Sequence, residues 1–214
     1  MPQQLPFDHE AFPVLVLAAG ASRRLGRPKA LLPMGKGIML DRAIAQGRQL
    51  GTRVTVVTGS GYPLIRFRAK QSASLWRFAS DWAEGMAASL RSGIGSLGPG
   101  AKGVFIVLLD QPLIESDDLA HLASAAREFP HLAVAAEIHG RPAAPAYIPR
   151  HLWPEVKLLE GDRGAASVLA RHQAVTLPVS GVLSDVDTLD DWRQISRNYQ
   201  DRFPEAGVSR TGPK

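Results

Sequence analysis

The chain has 214 residues, 45% of them hydrophobic, which suits one compact α/β domain rather than two. It contains no cysteine, so disulfides, thiolate metal ligands and cysteine nucleophiles are excluded. No apolar run approaches the roughly 18 residues that span a bilayer, and no secretory signal opens the chain. The net charge of +5 is dispersed, without interleaved aromatic residues. We therefore expect a cytoplasmic protein with neither a membrane nor a nucleic acid as its main partner.

Strand-like and helix-like segments alternate along the chain, which is typical of a mostly parallel, doubly wound sheet. In chain order, the predicted elements are strand Val14–Ala18, helix Met39–Leu50, strand Val54–Thr58, strand Leu75–Phe78, helix Met86–Leu97, strand Val104–Leu109, helix Ser116–Phe129, strand Ala133–Ile138, a shorter return strand Ala144–Ile148, helix Arg163–Arg171, strand Ala174–Val179 and helix Leu189–Tyr199. Residues 1–12 and 200–214 are polar and lack periodicity, so we expect flexible ends around one domain at residues 13–199.

The first predicted strand runs into a loop of small residues and basic side chains. From Leu17 to Lys29 the sequence reads LAAGASRRLGRPK. A strand that enters such a turn leaves several backbone N–H groups pointing the same way, and Lys29 and the arginines add charges that reach a polyphosphate. Neither the Walker A spacing nor the G-x-G-x-x-G fingerprint is present. We interpret the segment as a triphosphate-binding loop; the alternative is a glycine-rich turn with a solvated basic cluster.

An acidic residue follows directly on the most apolar predicted strand. Asp110 stands in the segment LLDQP, at the end of a strand that should be buried. A carboxylate opposite a triphosphate loop is where a Mg²⁺ ligand is needed, because Mg²⁺ takes only one or two carboxylates from the protein. The alternative is an aspartate that only shapes the turn before Pro112.

Two further carboxylates, Asp185 and Asp187, stand near the end of the predicted domain. In an extended segment residues i and i+2 share a face, so the two side chains should point together. The following Thr188-x-x-Asp191 is typical of a capping box for the last helix. We expect one or both aspartates to complete the metal site, beyond the carboxyl ends of the strands. The alternative is an aspartate that only pairs with an arginine.

Five segments carry a resemblance to a known family. The pattern L-A-A-G-x-S-x-R-x-G-x-P-K resembles the signature loop of the nucleotidyltransferases related to the molybdenum-cofactor enzymes. Four later segments extend it over almost all of residues 14–192: WAEGMAASL at Trp82–Leu90, DQP at Asp110–Pro112, LEGDRGA at Leu159–Ala165 and DVDT at Asp185–Thr188. Together they look like the molybdenum-cofactor cytidylyltransferases, and Ala19 and Pro28 resemble that branch more than the guanylyltransferase branch.

The resemblance implies a single Rossmann-like, glycosyltransferase-A-like domain, a CTP donor (or another NTP), Mg²⁺ and a molybdopterin phosphate acceptor, with a molybdoenzyme or its chaperone as a further partner. Such an enzyme joins a phosphate monoester to the α-phosphorus of the NTP and releases pyrophosphate. The predicted nucleotide-binding residues are Leu17, Ala18, Ala19, Gly20, Ser22 and Gly26 in the loop, with Gly85 and Ser89 reading the base edge. The predicted catalytic residues are Arg24 and Lys29, at the β- and γ-phosphates, and the predicted metal ligands are Asp110, Asp185 and Asp187.

The chain departs from the family's usual pattern in its acceptor half. Ala143-Ala144 stands where Gly-His usually precedes the proline, Ala166 where an arginine is common, and Ala79 where an asparagine is frequent. Two alternatives therefore stay open. One is a sugar- or alcohol-phosphate nucleotidyltransferase with another acceptor, and the other is a non-catalytic nucleotide-binding sensor or cofactor chaperone.

Overall fold

Nine strands and seven α-helices make up the protein in the computed structural model, which describes residues 12–204. The strands are Val14–Ala18 (β1), Pro33–Met34 (β2), Gly37–Ile38 (β3), Val54–Thr58 (β4), Leu75–Phe78 (β5), Gly103–Leu108 (β6), Val134–Ile138 (β7), Arg141–Pro149 (β8) and Val175–Leu177 (β9). The helices are Met39–Leu50 (α1), Leu64–Arg68 (α2), Met86–Gly95 (α3), Ser116–Glu128 (α4), Trp153–Lys157 (α5), Ala166–Arg171 (α6) and Leu189–Arg202 (α7).

The central sheet has seven strands in the order β5-β4-β1-β6-β8-β7-β9, and β2 and β3 form a separate small hairpin. Neighbours are parallel except at β8, which runs antiparallel to both β6 and β7. The predicted single α/β domain with a mostly parallel sheet is therefore confirmed. Because β1, β4 and β6 are parallel neighbours, their carboxyl ends meet at one edge of the sheet, where parallel sheets bind ligands.

Apolar cores cover both faces of the sheet. Helices α1 and α4 pack on one face, and α3, α5 and α6 pack on the other. Strands β1 and β4 are buried along their whole length, as expected for parallel strands that are covered on both sides. A third cluster joins α7 to the loop after β1, through Ile195, Leu25 and Val186. This cluster places the segment before α7 beside that loop.

Most predicted elements occur at their predicted places, and α1 has its predicted bounds. The helix predicted over Met86–Leu97 ends at Gly95, and the helix predicted from Arg163 begins at Ala166. The return strand is longer than predicted, because β8 spans Arg141–Pro149 and pairs with two neighbours. The added residues include Pro142 and Pro149, and proline locally argues against a strand. Pro145, inside the predicted strand, lies at the register shift opposite Ala135/Ala136.

The predicted flexible ends lie mostly outside the described residues. Within 12–204, α7 continues to Arg202, past its predicted end at Tyr199. No helix in this part of the chain is both long and apolar enough to cross a bilayer.

Candidate active site

A cleft of about 390 Å³ opens at the carboxyl ends of β1 and β6. The end of β1 and its loop form one wall, and the start of α3 forms the other. The predicted site residues that line it are Leu17, Ala18, Ala19, Gly20, Ser22, Lys29, Gly85, Ser89 and Asp110. Arg24, Gly26, Asp185 and Asp187 do not line the cleft. Arg24 and Asp187 form an ion pair with each other, whereas Gly26 ends a tight turn in the loop.

The loop after β1 holds unpaired backbone N–H groups in its first half. The amides of Leu25 and Gly26 donate to the carbonyls of Ser22 and Arg23, at 3.0 and 3.2 Å. The amides of Gly20, Ala21 and Ser22 donate to no other residue of the described chain. A Cβ on Gly20 would meet nothing within 4 Å, so the space beside these amides is open. The Gly26 amide, although Gly26 was predicted to bind the nucleotide, is therefore used within the loop itself.

Ser22 shapes this loop and fixes the start of the Lys29 side chain. Its backbone adopts the left-handed conformation, with φ of 50°. Its hydroxyl oxygen accepts a hydrogen bond from the Lys29 backbone amide at 3.0 Å. That bond closes the loop on itself, so that Ser22 brings Lys29 to the cleft as well as offering its own amide.

Lys29 joins the loop to the acidic residues. Its Nζ lies 3.2 Å from Asp110 Oδ2 and 3.2 Å from Asp187 Oδ1, and the side chain is only 13% exposed. Arg24 Nη1 lies 2.9 Å from Asp187 Oδ2 at the more exposed rim. Two cations and two carboxylates thus share one small volume. Phosphates that enter the cleft would meet the Lys29 ammonium first, whereas the Arg24 guanidinium stands at the rim and does not line the cleft.

The chain around Asp185 and Asp187 reaches the site through a backbone contact. The segment does not follow a strand directly, because β9 ends at Leu177. Instead, the Val186 amide donates to the Asp110 carbonyl at 3.1 Å, which brings both aspartates beside Asp110. The capping box is present, since Thr188 accepts from the Asp191 amide and Asp191 accepts from Thr188.

Two carboxyl groups of the acidic cluster, those of Asp110 and Asp185, are incompletely compensated by their surroundings. Asp110 Oδ1 is buried and has no hydrogen-bond partner among the described residues. Asp185 is exposed as a residue, yet desolvation of its carboxyl and the negative charge of Asp110 raise its pKa to about 6. Both features indicate a place where additional positive charge would be stabilising.

These residues fit a hard divalent cation. Carboxylate oxygens are the ligands that Mg²⁺ prefers, and Asp110 offers one that no described residue satisfies. Within residues 12–204, no group of three or more His, Asp or Glu side chains is placed to hold a metal ion, so the three predicted aspartate ligands do not converge as one set. Such a sparse set suits a cation that takes one or two carboxylates and completes its coordination with phosphates and water.

The opposite wall depends on a close contact between two loops. Gly85 has φ of 118°, and a Cβ there would lie 2.5 Å from the backbone of Gly161. The Ala87 amide donates to the Gly161 carbonyl at 3.0 Å. Asp162, Trp82 and Met86 also line the cleft, although sequence reasoning did not select them. Their only signal was their place in the Trp82–Leu90 and Leu159–Ala165 segments.

Gly85→Ala is expected to destabilise the fold by about 2 kcal/mol, because the new Cβ meets backbone atoms at a positive φ. Binding of a ligand in the cleft should weaken with it, since Gly161 and the adjacent Asp162 must shift. Gly95→Ala is the matched control: nothing lies within 4 Å of its Cβ position, at the end of the same helix. It should gain about 0.5 kcal/mol from helix propensity. Urea unfolding measures both variants, and equal stabilities would contradict the close contact.

Comparison with known proteins places this site in a family. Residues 14–175 match the family model of the MobA-like NTP transferase domain. Purine catabolism protein PucB of Bacillus subtilis (strain 168) is 31% identical over 199 residues, covering 85% of this chain and 94% of that protein. Molybdenum cofactor cytidylyltransferase of Escherichia coli (strain K12) is 25% identical over 193 residues, with coverages of 88% and 97%.

A solved structure shares the fold. The crystal structure of Rv0371C from Mycobacterium tuberculosis H37Rv, in complex with manganese, superposes with a TM-score of 0.73. The two sequences are 26% identical, and the match covers 87% of this chain and 98% of that one.

Proposed function

The chain belongs to the MobA-like NTP transferase family and is a nucleotidyltransferase, and from this premise we propose that it transfers CMP from CTP to a phosphate-monoester acceptor and releases pyrophosphate. The proposed acceptor is the molybdopterin cofactor. The observation that carries the proposal is the convergence of open loop amides, the Lys29 ammonium and the Asp110 carboxylate in one cleft. We expect the reaction to take place in the cytoplasm, with a molybdoenzyme or its chaperone receiving the product.

The chemistry needs alignment and charge neutralisation more than a strong base. A phosphate-monoester acceptor is already anionic at neutral pH, so it attacks the α-phosphorus without losing a proton to the protein. The amides of Gly20, Ala21 and Ser22 would bind the leaving β- and γ-phosphates. Lys29 and Arg24 would neutralise the charge that develops there as pyrophosphate departs.

A divalent cation would complete the charge balance. Asp110 would hold it together with Asp187, Asp185 or both, and a bound Mg²⁺ supplies positive charge at the reacting phosphate. The Oδ1 atom of Asp110, which is buried without a hydrogen-bond partner among the described residues, supports this assignment. So does the manganese complex of the related Rv0371C structure, because Mn²⁺ and Mg²⁺ share a preference for oxygen ligands.

Support for CTP as the donor comes from the loop and from a relative. Ala19 and Pro28 resemble the cytidylyltransferase branch, and one relative bears that name. Gly85 and Ser89 line the wall opposite the phosphate loop, where a base would lie. Ser89 is only 5% exposed, so its hydroxyl could hydrogen-bond to the edge of a base only from within the cleft.

The second candidate function is nucleotidyl transfer to a different acceptor, and two observations support it. PucB, at 31% identity, is named for purine catabolism. The chain departs from the family's usual pattern at four positions in its acceptor half, although none of them lines the cleft: Ala79, Ala143, Ala144 and Ala166. A sugar- or alcohol-phosphate acceptor therefore stays as an alternative. A non-catalytic nucleotide sensor is less well supported, since it would need neither Lys29 nor the carboxylates.

Pyrophosphate release, measured with each NTP and a panel of acceptors in the presence of Mg²⁺ or Mn²⁺, tests the proposal. We expect the fastest release with CTP and molybdopterin, and none when EDTA removes the metal. Release with sugar or alcohol phosphates alone would replace the acceptor but keep the reaction class. Tight CTP binding without release for any pair would favour the sensor.

A further inference from the structure

The segment that carries Asp110 is held by a helix that contributes no residue to the cleft. Arg42 on α1 donates through Nε to the Pro112 carbonyl at 2.9 Å and through Nη2 to the Ile114 carbonyl at 2.6 Å. Gln46, one helical turn later, donates through Nε2 to the Gln111 carbonyl at 2.8 Å. Residues i and i+4 share a helix face, so the two side chains act on the same stretch of backbone. Three of the four carbonyls that follow Asp110 thereby accept hydrogen bonds from side chains of α1.

The same stretch also holds the chain that bears the other two aspartates. The buried Gln111 side chain donates through Nε2 to the Val182 carbonyl at 3.2 Å. The Asp110 carbonyl accepts from the Val186 amide at 3.1 Å. A displacement of the backbone at Gln111 would therefore move Asp110 and the segment of Asp185 and Asp187 together.

Two aromatic rings pack against the Arg42 guanidinium and hold it in this position. Its guanidinium carbon lies 4.5 Å from the ring centroid of Phe203 and 5.5 Å from that of Tyr199. No ion pair to a carboxylate engages Arg42 in the described part of the chain. Only a planar guanidinium can reach two carbonyls at once from this position, whereas a lysine ammonium is a single point charge.

We propose that Arg42 and Gln46 are positioning residues that set the place of the Asp110 carboxylate and thereby the affinity of the site for its divalent cation. The inference rests on the metal ligand assigned in the proposed function. Neither residue touches the cleft, so their effect passes through the backbone of Gln111, Pro112 and Ile114. Groups that orient metal ligands in this way change metal affinity by about 10- to 100-fold when they are lost.

The test is Mn²⁺ binding to the full, metal-free chain in the absence of nucleotide, measured by the electron paramagnetic resonance of free Mn²⁺. Arg42→Lys keeps the charge but loses the two-carbonyl contact, and Gln46→Leu keeps the volume but loses the donor. Each should weaken Mn²⁺ binding by about 10- to 100-fold. CTP binding in EDTA should stay at the wild-type value, because the loop amides and Lys29 are unaltered.

Arg127→Lys serves as the matched control for a loss of stability alone. Arg127 Nη2 donates to the Leu50 carbonyl at 2.8 Å, at the other end of α1, so it makes the same kind of bond away from the cleft. Its variant should lose some thermal stability and keep the wild-type Mn²⁺ affinity. Asp110→Asn, which removes the proposed ligand itself, gives the size of the full effect.

Wild-type Mn²⁺ affinity in Arg42→Lys and Gln46→Leu, with weakened binding in Asp110→Asn, would overturn this inference and leave the metal ligand standing. Parallel losses of Mn²⁺ affinity, metal-free CTP affinity and thermal stability would also overturn it, as a purely structural effect. Unchanged binding in Asp110→Asn would reject the metal ligand and the inference together. Failure of nucleotidyl transfer with every donor and acceptor would instead affect only the proposed function.

Discussion

Asp110→Asn is expected to lower the rate of nucleotidyl transfer by about 10³-fold, because it removes the partly buried carboxylate charge that would hold the divalent cation. Asparagine preserves the size of the side chain, so the fold should persist. The Asp110 side chain already lies against Lys29 at 3.2 Å and keeps its other oxygen without a partner. Pyrophosphate release at saturating CTP and Mg²⁺ measures the rate, and thermal unfolding verifies the fold.

A matched variant separates this effect from a change in surface charge. Asp190→Asn removes a carboxylate that is 88% exposed and that, within residues 12–204, pairs only with Arg193 on the surface of α7. It should leave the rate unchanged. A wild-type rate in Asp110→Asn would contradict the assignment of Asp110 as a metal ligand, whatever the outcome for Asp190.

Lys29→Met is expected to lower transfer by about 10²- to 10³-fold, as for other removed groups that stabilise developing charge. For metal affinity, the structure predicts a change in the opposite direction. Because the Lys29 ammonium lies 3.2 Å from carboxylates of both Asp110 and Asp187, its loss leaves these carboxylates without their shared cation. Mn²⁺ binding without nucleotide should therefore become tighter in Lys29→Met while turnover falls.

Arg27→Gln is the control for Lys29→Met. Arg27 lies in the same loop and is exposed, and it pairs with no carboxylate among residues 12–204, so the variant removes the same charge without the contact. We expect a small effect on turnover and none on Mn²⁺ affinity. Loss of both turnover and Mn²⁺ binding in Lys29→Met would mean that the lysine organises the metal site instead of neutralising phosphates.

Local sequence signals predicted the parts of the fold that depend on neighbours in the chain. Helix α1 has its predicted bounds because its apolar residues recur at helical spacing and Gly51 ends the pattern. Packing also requires a glycine at this position, because a Cβ on Gly51 would lie 2.3 Å from the Phe12 carbonyl oxygen. The predicted return strand was too short, since Pro142 and Pro149 oppose a strand locally. Both residues nevertheless pair, Pro142 with β7 and Pro149 with β6.

The loop after β1 shows the same division within the site. Its anion-binding character is visible in the sequence, because small residues, a following turn and basic side chains act over a few positions. Which amides stay open depends on the turn at Ser22–Gly26, which uses the amides of Leu25 and Gly26 internally. That detail became visible only in the folded backbone.

The sequence by itself determined the α/β class, and it predicted a phosphate loop and a set of functional aspartates, because each prediction rests on short spacings and on the order of elements. Only the tertiary structure decided that Lys29 contacts Asp110 and Asp187, which lie 81 and 158 positions away. It also decided that Arg42 and Gln46 brace the segment after Asp110. Such contacts follow from the order of strands in the sheet and the packing of α1 beneath it, which no local pattern records.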